Sequence, residues 1–347
     1  MSAQQRLTES NLAAYLRGVG FIPHNLAVAV EPVGEGNINW VRRVRSVSDG
    51  RSWVVKQARP ALERFPEYRV STERAVFEAR YLEVAAPFDP DGICIELLFF
   101  DARQRVLVLE DLGDATLLSQ ILARGAASAA EVSAVGRALG RFLGAVHSGT
   151  RGADLAPRFE NHEMRRLHGD HIFRLPYRPN DFPLSPAVAD RARAIQGDAA
   201  LIATINAAHR RYLKPEGSLI HGDVQPDNIL LGPSGPRLLD AEIAHIGDPA
   251  FDVGILVGHW LLPAAARGAA SSAAGVIGET WSAYRAAYAP DPFPSFRDVA
   301  RYAGIELLRR TIGAARVPAV TSDESALAVI DVGVRWVCDP ADAPGNG

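Results

Sequence analysis

A chain of 347 residues, 48% apolar and 22% charged, has material for two lobes or two modest domains with ordinary cores. Its formal net charge of -3 gives no electrostatic case for nucleic acid or an anionic membrane as partner. Two distant cysteines, Cys94 and Cys338, support neither a disulfide framework nor a cysteine zinc site. The opening MSAQQRLTESNLAAYL lacks the basic-then-apolar layout of a signal peptide. The most apolar stretch, 253–266, is broken by His259 and Pro263 and is too short to span a bilayer. A cytoplasmic protein is therefore expected. Of 37 basic residues only Lys56 and Lys214 are lysines. Lys56 lies inside the apolar run WVVKQA, where a compact ammonium needs a reason.

Taken in chain order, residues 8–20 read as an amphipathic helix ending at Gly18 or Gly20. The following segment, to about residue 58, alternates apolar positions around an Asp49-Gly50 turn, the pattern of an antiparallel hairpin. GEGNIN precedes that hairpin and not a helix, which argues against a dinucleotide-binding fingerprint or a Walker A loop. From Thr72, Ala75, Ala79, Leu82 and Ala86 share a helical face, and ICIELLFFD and RVLVLEDLG are further strands. After Gly113 the pattern turns helical, with Val132, Val135, Leu139, Phe142 and Val146 at helical spacing. Residues 148–185, rich in Arg, His and Pro, read as an irregular insertion. LIHGDVQPDNILL (219–231) and LLDAEIA (238–244) read as strand-loop-strand, and Ala-rich helices fill the rest. The expected divisions are a sheet lobe over 1–112, a mainly helical lobe over 113–338 and a disordered tail over 339–347.

His221-Gly222-Asp223 followed by Asn228 has the spacing of a kinase catalytic loop, in which Asp precedes Asn by five. In such a loop the Asp accepts or orients the attacking hydroxyl and the Asn carbonyl oxygen ligates Mg²⁺. Asp240 and Glu242, two apart on a short strand, share a face. With Asn228 they make an oxygen-rich set suited to magnesium holding phosphates. A second HGD at 168–170 lacks an Asn five residues on and lies in the irregular segment, so it reads as non-catalytic. Gly34, Gly36 and Asn37 are placed to cover phosphates. Lys56 is placed to pair with them, with Glu78 on the next helix as its candidate partner. The segment 106–113, with Glu110 and Leu112, is the candidate linker whose backbone meets adenine. Only eleven residues separate Asp240 from Asp252, which leaves no room for the activation segment of a protein kinase. A catalytically dead nucleotide-binding protein would lack one of Lys56, Asp223, Asn228 or Asp240, and all are present.

These pieces resemble the aminoglycoside phosphotransferase and choline kinase superfamily, through the catalytic loop, the metal carboxylates and GDPAFDVG (247–254). The chain most resembles the methylthioribose kinases. That likeness rests on GEGNIN, on VKQARP followed by TERAVFEA, on the D-x-E motif at Asp240–Glu242, and on Arg309 and Arg310 in GIELLRRTIG. It departs from them in lacking the Trp-Pro of the loop after Lys56, and in carrying Asn228 and Ala241 where those kinases have Ser and Pro. The resemblance implies an α+β, two-lobed protein-kinase-like fold, ATP and Mg²⁺ as cofactors, and a sugar as small-molecule partner. The sugar would be 5-methylthioribose or a related 5-substituted ribose, phosphorylated at the anomeric hydroxyl, with Arg309 and Arg310 contacting it. The alternative is an aminoglycoside or choline-like acceptor. Monomer or homodimer stays open. Glu306, three and four residues before the arginines, offers a plain structural partner for either.

Overall fold

The computed structural model describes residues 4–33, 39–61, 69–125 and 127–340. The chain divides into two compact units, Met1–Ala86 with Cys94–Asp114, and Pro87–Ile93 with Ala115–Gly347.

The first unit is built on a five-stranded antiparallel sheet. Its strands are β1 (Val28–Pro32), β2 (Trp40–Ser46), β3 (Ser52–Gln57), β4 (Leu97–Asp101) and β5 (Val106–Glu110), in the order β1-β2-β3-β5-β4. The Asp49-Gly50 turn joins β2 to β3, and Gly50 takes the positive φ of 72° that a side chain would resist. Helix α1 (Glu9–Gly18) begins at a capping box on Thr8 and buries Leu12, Tyr15 and Leu16. These residues pack with Trp40, Val44, Val55, Val106 and Val108 into one apolar core. Because side chains alternate along a strand, Lys56 points away from the face that carries Val55. Gln57 returns to the first face, where its Oε1 accepts the Leu7 N–H at 3.0 Å. Helix α2 (Arg74–Ala85) buries Ala75, Glu78, Ala79 and Leu82, so its inward stripe carries one carboxylate.

The second unit is mainly helical. A short strand β6 (Thr116–Leu117) leads to α3 (Leu118–Ala123), α4 (Ala129–Thr150), α5 (His162–Phe173), α6 (Pro186–Gly197) and α7 (Ala199–Tyr212). Four strands follow: β7 (Ser218–Ile220), β8 (Ile229–Gly232), β9 (Gly235–Leu238) and β10 (His245–Gly247). Helices α8 (Ala250–Ala266), α9 (Ala274–Ala287), α10 (Phe296–Ile312) and α11 (Asp323–Cys338) complete the unit. β10 pairs with β7, and β6, β8 and β9 form a separate three-stranded sheet. Helices α4 and α9 lie almost backbone to backbone. A Cβ on Gly140 would fall 2.3 Å from the Thr280 carbonyl oxygen, and one on Gly144 2.6 Å from that of Tyr284. Among the described residues no helix is long and apolar enough to cross a membrane.

Two local expectations are corrected. The segment 148–185 is not an irregular insertion, since it contains the end of α4, all of α5 and two single 3₁₀ turns. Helix α5 buries Met164, His168 and Ile172 at a four-residue spacing, and the central histidine hides that stripe from an apolar pattern. Asp240 and Glu242 do not lie on a strand. Asp240 is left-handed at φ 63°, ψ 50°, which ends the extended run after Leu238, and Ala241–Ile243 form a 3₁₀ turn. Of the expected tail, Pro340 is buried, and residues 341–347 lie outside the described set.

Candidate active site

In the second unit the catalytic-loop segment leaves β7 at Ile220 and is anchored by a carboxylate from elsewhere. Asp252, in the first turn of α8 and fully buried, accepts the backbone N–H of His221 at 2.7 Å and of Gly222 at 2.9 Å. It also faces His147 Nε2 at 3.2 Å, and the other nitrogen of His147 meets the Tyr284 hydroxyl at 3.2 Å. Burial works to raise the Asp252 carboxyl, but the contact with His147, the nearby His221 and the Gly222 N–H outweigh it and hold the group below the usual carboxylate range. Gly222 has φ 87°, and an added Cβ would lie 3.0 Å from the Ile243 carbonyl oxygen, so only glycine fits without strain. His221 Nε2 lies 3.0 Å from the Leu239 carbonyl and its Nδ1 accepts the Asp223 N–H at 3.3 Å, which assigns the proton to Nε2.

This bracing yields a prediction. Asp252→Asn keeps one acceptor oxygen but sets an NH₂ group against backbone donors. Stability is expected to fall by about 1–3 kcal/mol, the cost of leaving a buried donor unsatisfied. Denaturant unfolding of the two proteins measures it, and equal midpoints would mean that the loop does not depend on this carboxylate.

Asp223 is held on one side only. Its Oδ2 accepts Gln225 Nε2 and Asn228 Nδ2, both at 2.7 Å, and Asn228 Nδ2 also reaches the Asp223 carbonyl at 2.9 Å. Asp223 Oδ1 is buried and has no hydrogen-bond partner among the described residues. With its NH₂ group committed to Asp223, Asn228 keeps its amide oxygen as an acceptor for a cation. The Leu239 N–H donates to the Asn228 carbonyl at 2.8 Å, which brings Asp240 to the end of the β8–β9 hairpin beside Asn228. Glu242 is buried in the 3₁₀ turn, and its carbonyl and that of Ala244, just after the turn, accept the Asn161 amide at 2.9 and 3.2 Å. No group of three or more His, Cys, Asp or Glu that could hold a metal ion occurs among the described residues. A nucleotide-bound Mg²⁺ does not require one. It takes one or two carboxylates and completes its shell with phosphate and water. The all-oxygen set of Asn228, Asp240 and Glu242 fits that chemistry.

Arg309 and Arg310 lie on α10 and are 7% and 6% exposed. Both bind the fully buried Glu306, Arg309 Nη1 at 3.0 Å and Arg310 Nε at 2.6 Å. His259 Nε2 adds a contact to Glu306 at 3.2 Å. Burial works to raise the Glu306 carboxyl, yet the two guanidiniums and His259 hold it well below its usual range. Arg310 also donates to Gln225 Oε1, while Arg309 Nε is buried and has no hydrogen-bond partner among the described residues. Glu306 thus serves both arginines, and the further partners of Arg310 are neutral, the Gln225 amide and the Ala315 carbonyl at 3.4 Å. Through Gln225 the arginine pair is joined to Asp223.

In the first unit Lys56 Nζ lies 2.9 Å from Glu78 Oε1 and 2.8 Å from Oε2, with both side chains buried. The expected partnership is present. Glu110 ends β5, donates its N–H to the Glu96 carbonyl at 3.1 Å, and accepts the Glu96 N–H through Oε1 at 2.9 Å. Leu112 is half-buried beyond the strand. Gly34, Gly36 and Asn37 lie outside the described residues. Sequence reasoning gave no role to Asp252, His147, Asn161, Gln225 and His259, and read the HGD that contains His168 as non-catalytic. Only Asp252 carried a usable signal, through GDPAFDVG.

The family model described as the phosphotransferase enzyme family matches residues 29–288. A methylthioribose kinase of Yersinia enterocolitica is 28% identical over 91% of this chain and 88% of its own length. One of Bacillus cereus is 27% identical over 90% and 85%. Among solved structures, a choline kinase of Cryptosporidium parvum superposes with a TM-score of 0.55 at 11% identity, covering 97% of this chain and 98% of that one. A choline/ethanolamine kinase family protein of Mesorhizobium loti gives 0.51 at 19% identity, covering 97% and 94%. The α+β, kinase-like fold is shared with these structures.

Proposed function

From the premise that the chain belongs to the phosphotransferase enzyme family and is an ATP-dependent kinase with a hydroxyl acceptor, we propose that it phosphorylates 5-methylthioribose, or a related 5-substituted ribose, at the anomeric hydroxyl. The observation that carries this reading is the buried arginine pair, joined to the Asp223 loop through Gln225. Two guanidiniums share the one carboxylate of Glu306, and the next carboxylates to act on Arg310, Asp223 and Asp227, belong to the catalytic-loop segment, so positive charge and N–H donors line the Glu306 side, which suits a neutral or anionic acceptor and opposes a cationic aminoglycoside or choline.

In this reading Asp223 takes the proton of the acceptor hydroxyl through Oδ1, while Gln225 and Asn228 fix the carboxylate through Oδ2. Arg309 and Arg310 bind the sugar. Lys56, oriented by Glu78, pairs with the nucleotide phosphates, Gly34, Gly36 and Asn37 cover them, and the backbone at Glu110 and Leu112 meets adenine. Asn228, Asp240 and Glu242 would hold Mg²⁺, which when bound neutralises phosphate charge. We further propose that the protein acts in the cytoplasm.

ADP release measured across ribose analogues, aminoglycosides and choline tests the acceptor. Turnover is expected with the 5-substituted ribose, and turnover with the cationic acceptors alone would overturn the assignment. Arg309→Ala is expected to reduce kcat/KM for the sugar by roughly 10- to 100-fold, as loss of a charge-assisted hydrogen bond does, with KM for ATP little changed. Normal sugar kinetics in that variant would remove the arginine from the acceptor site.

A further inference from the structure

The HGD at 168–170, which reads from the sequence as non-catalytic, is brought next to the one that reads as catalytic. Helix α5 carries His168, and its Nε2 lies 3.7 Å from Asp223 Oδ1, too far for a hydrogen bond. Neither ring nitrogen of His168 has a hydrogen-bond partner among the described residues, nor has Asp223 Oδ1, and all three atoms are buried. Buried polar atoms are nearly always partnered, so the facing orphans Nε2 and Oδ1 point to a partner from outside the chain between them. The ring of Phe251 stands edge-on to the imidazole at 6.2 Å between centroids. Besides Asp223, the charged groups that act on His168 are Arg309, Arg310 and Glu306 from α10, and His171 lies on its own helix. Burial, and then Arg309, push His168 well below the ordinary histidine range. The imidazole is thus neutral and offers one donor and one acceptor.

We propose that His168 is an acceptor-binding residue, and that the hydroxyl receiving the phosphate is held between His168 Nε2 and Asp223 Oδ1. The proposal rests on the reading of Asp223 as the group that takes this hydroxyl's proton. A hydroxyl oxygen about 2.8 Å from each atom directs its O–H to the carboxylate and a lone pair to the imidazole N–H. Asp223 alone fixes that oxygen along one direction, and the second contact fixes its rotation towards the phosphate. Transfer forms the bond from this oxygen to the γ-phosphorus of ATP and breaks the bond to the departing ADP. The hydroxyl proton passes to Asp223, and His168 keeps its own proton throughout. A neutral donor at this position selects an uncharged alcohol oxygen over an amine that is itself a protonated donor.

The test uses the full-length enzyme with whichever acceptor the wild type turns over. His168→Phe preserves an aromatic ring against Phe251 and removes both nitrogens. It is expected to lower kcat/KM for the acceptor roughly 10- to 100-fold, with KM for ATP within about twofold. His168→Gln, whose amide N–H reaches the Nε2 position, is expected to recover most of that loss. His168→Phe acting like wild type overturns the proposal, as does a folded His168→Gln no better than His168→Phe. Should His168→Phe unfold, His168→Asn replaces it as the variant that cannot reach, and values for Asn and Gln that agree overturn the proposal. A wild type that accepts only choline or an aminoglycoside overturns the ribose assignment, while the mutant-to-wild-type ratio on that acceptor still decides the role of His168. A wild type that turns over no acceptor overturns both.

Discussion

Asp223→Asn is expected to lower kcat by about 10²- to 10⁴-fold, the range contributed by a positioned general base. The substitution is chosen for its shape. An amide oxygen in the place of Oδ2 still accepts from Gln225 Nε2 and Asn228 Nδ2, which lie 2.7 Å away, so the loop keeps its internal bonds. The NH₂ group then takes the place of Oδ1, the buried atom with no hydrogen-bond partner among the described residues. A donor stands where an acceptor is required, and the hydroxyl proton has nowhere to go. Unfolding midpoints close to wild type, nucleotide affinity close to wild type and a collapse of turnover form the expected result. Near-normal turnover would end the assignment of Asp223 as the base.

Glu306→Gln is expected to destabilise the protein by about 3–5 kcal/mol, because removing one partner of a buried ion pair leaves charge uncompensated. Here two guanidiniums lose the same carboxylate, and His259 loses its partner as well. Against a total stability of about 5–15 kcal/mol, that is a large share. The pH dependence has a definite sign. The folded Glu306 carboxyl is held well below its usual range, so its contribution is fully present above the unfolded value, near 4.3. It is lost as pH falls through the folded value. Wild type should therefore show an acid-induced loss of stability that Glu306→Gln lacks in part. Denaturant unfolding at neutral and acid pH measures both. A loss under about 1 kcal/mol at neutral pH would be an ordinary surface effect and would contradict the shared-carboxylate arrangement.

The elements that announce themselves by periodicity were legible. Helix α1, the hairpin at Asp49-Gly50, helix α2 and helix α4 all follow apolar spacing, and Lys56 stood out as charge inside an apolar run. Glu78 was legible because a buried lysine needs a carboxylate and the next helix offers one. The loop from His221 to Asn228 was legible because its spacing is local. The supports of that loop were not. His147 lies 105 residues from Asp252, and Glu306 lies 47 from His259, and no local pattern encodes such pairs. Helix α5 was misread because the inward stripe carries His168 between Met164 and Ile172. Asp240 was misread because a left-handed residue that is not glycine leaves no mark in a hydropathy pattern.

The placement of the catalytic-loop segment by Asp252 bears on redesign. The carboxylate grips main-chain N–H groups at His221 and Gly222, thirty-one and thirty positions away, so the orientation of the loop is stored in α8 and in the end of α4. Transplanting residues 219–231 into another scaffold would carry over the reactive side chains without the coordinates that aim them. A portable cassette has to include the carboxylate of α8 and the histidine of α4. Because α4 approaches α9 through glycines that admit no Cβ, that histidine is positioned only if the two-helix pair travels with it. The smallest transferable module is thus a piece of the helical unit, and shuffling shorter segments between relatives would return folded proteins that no longer turn over.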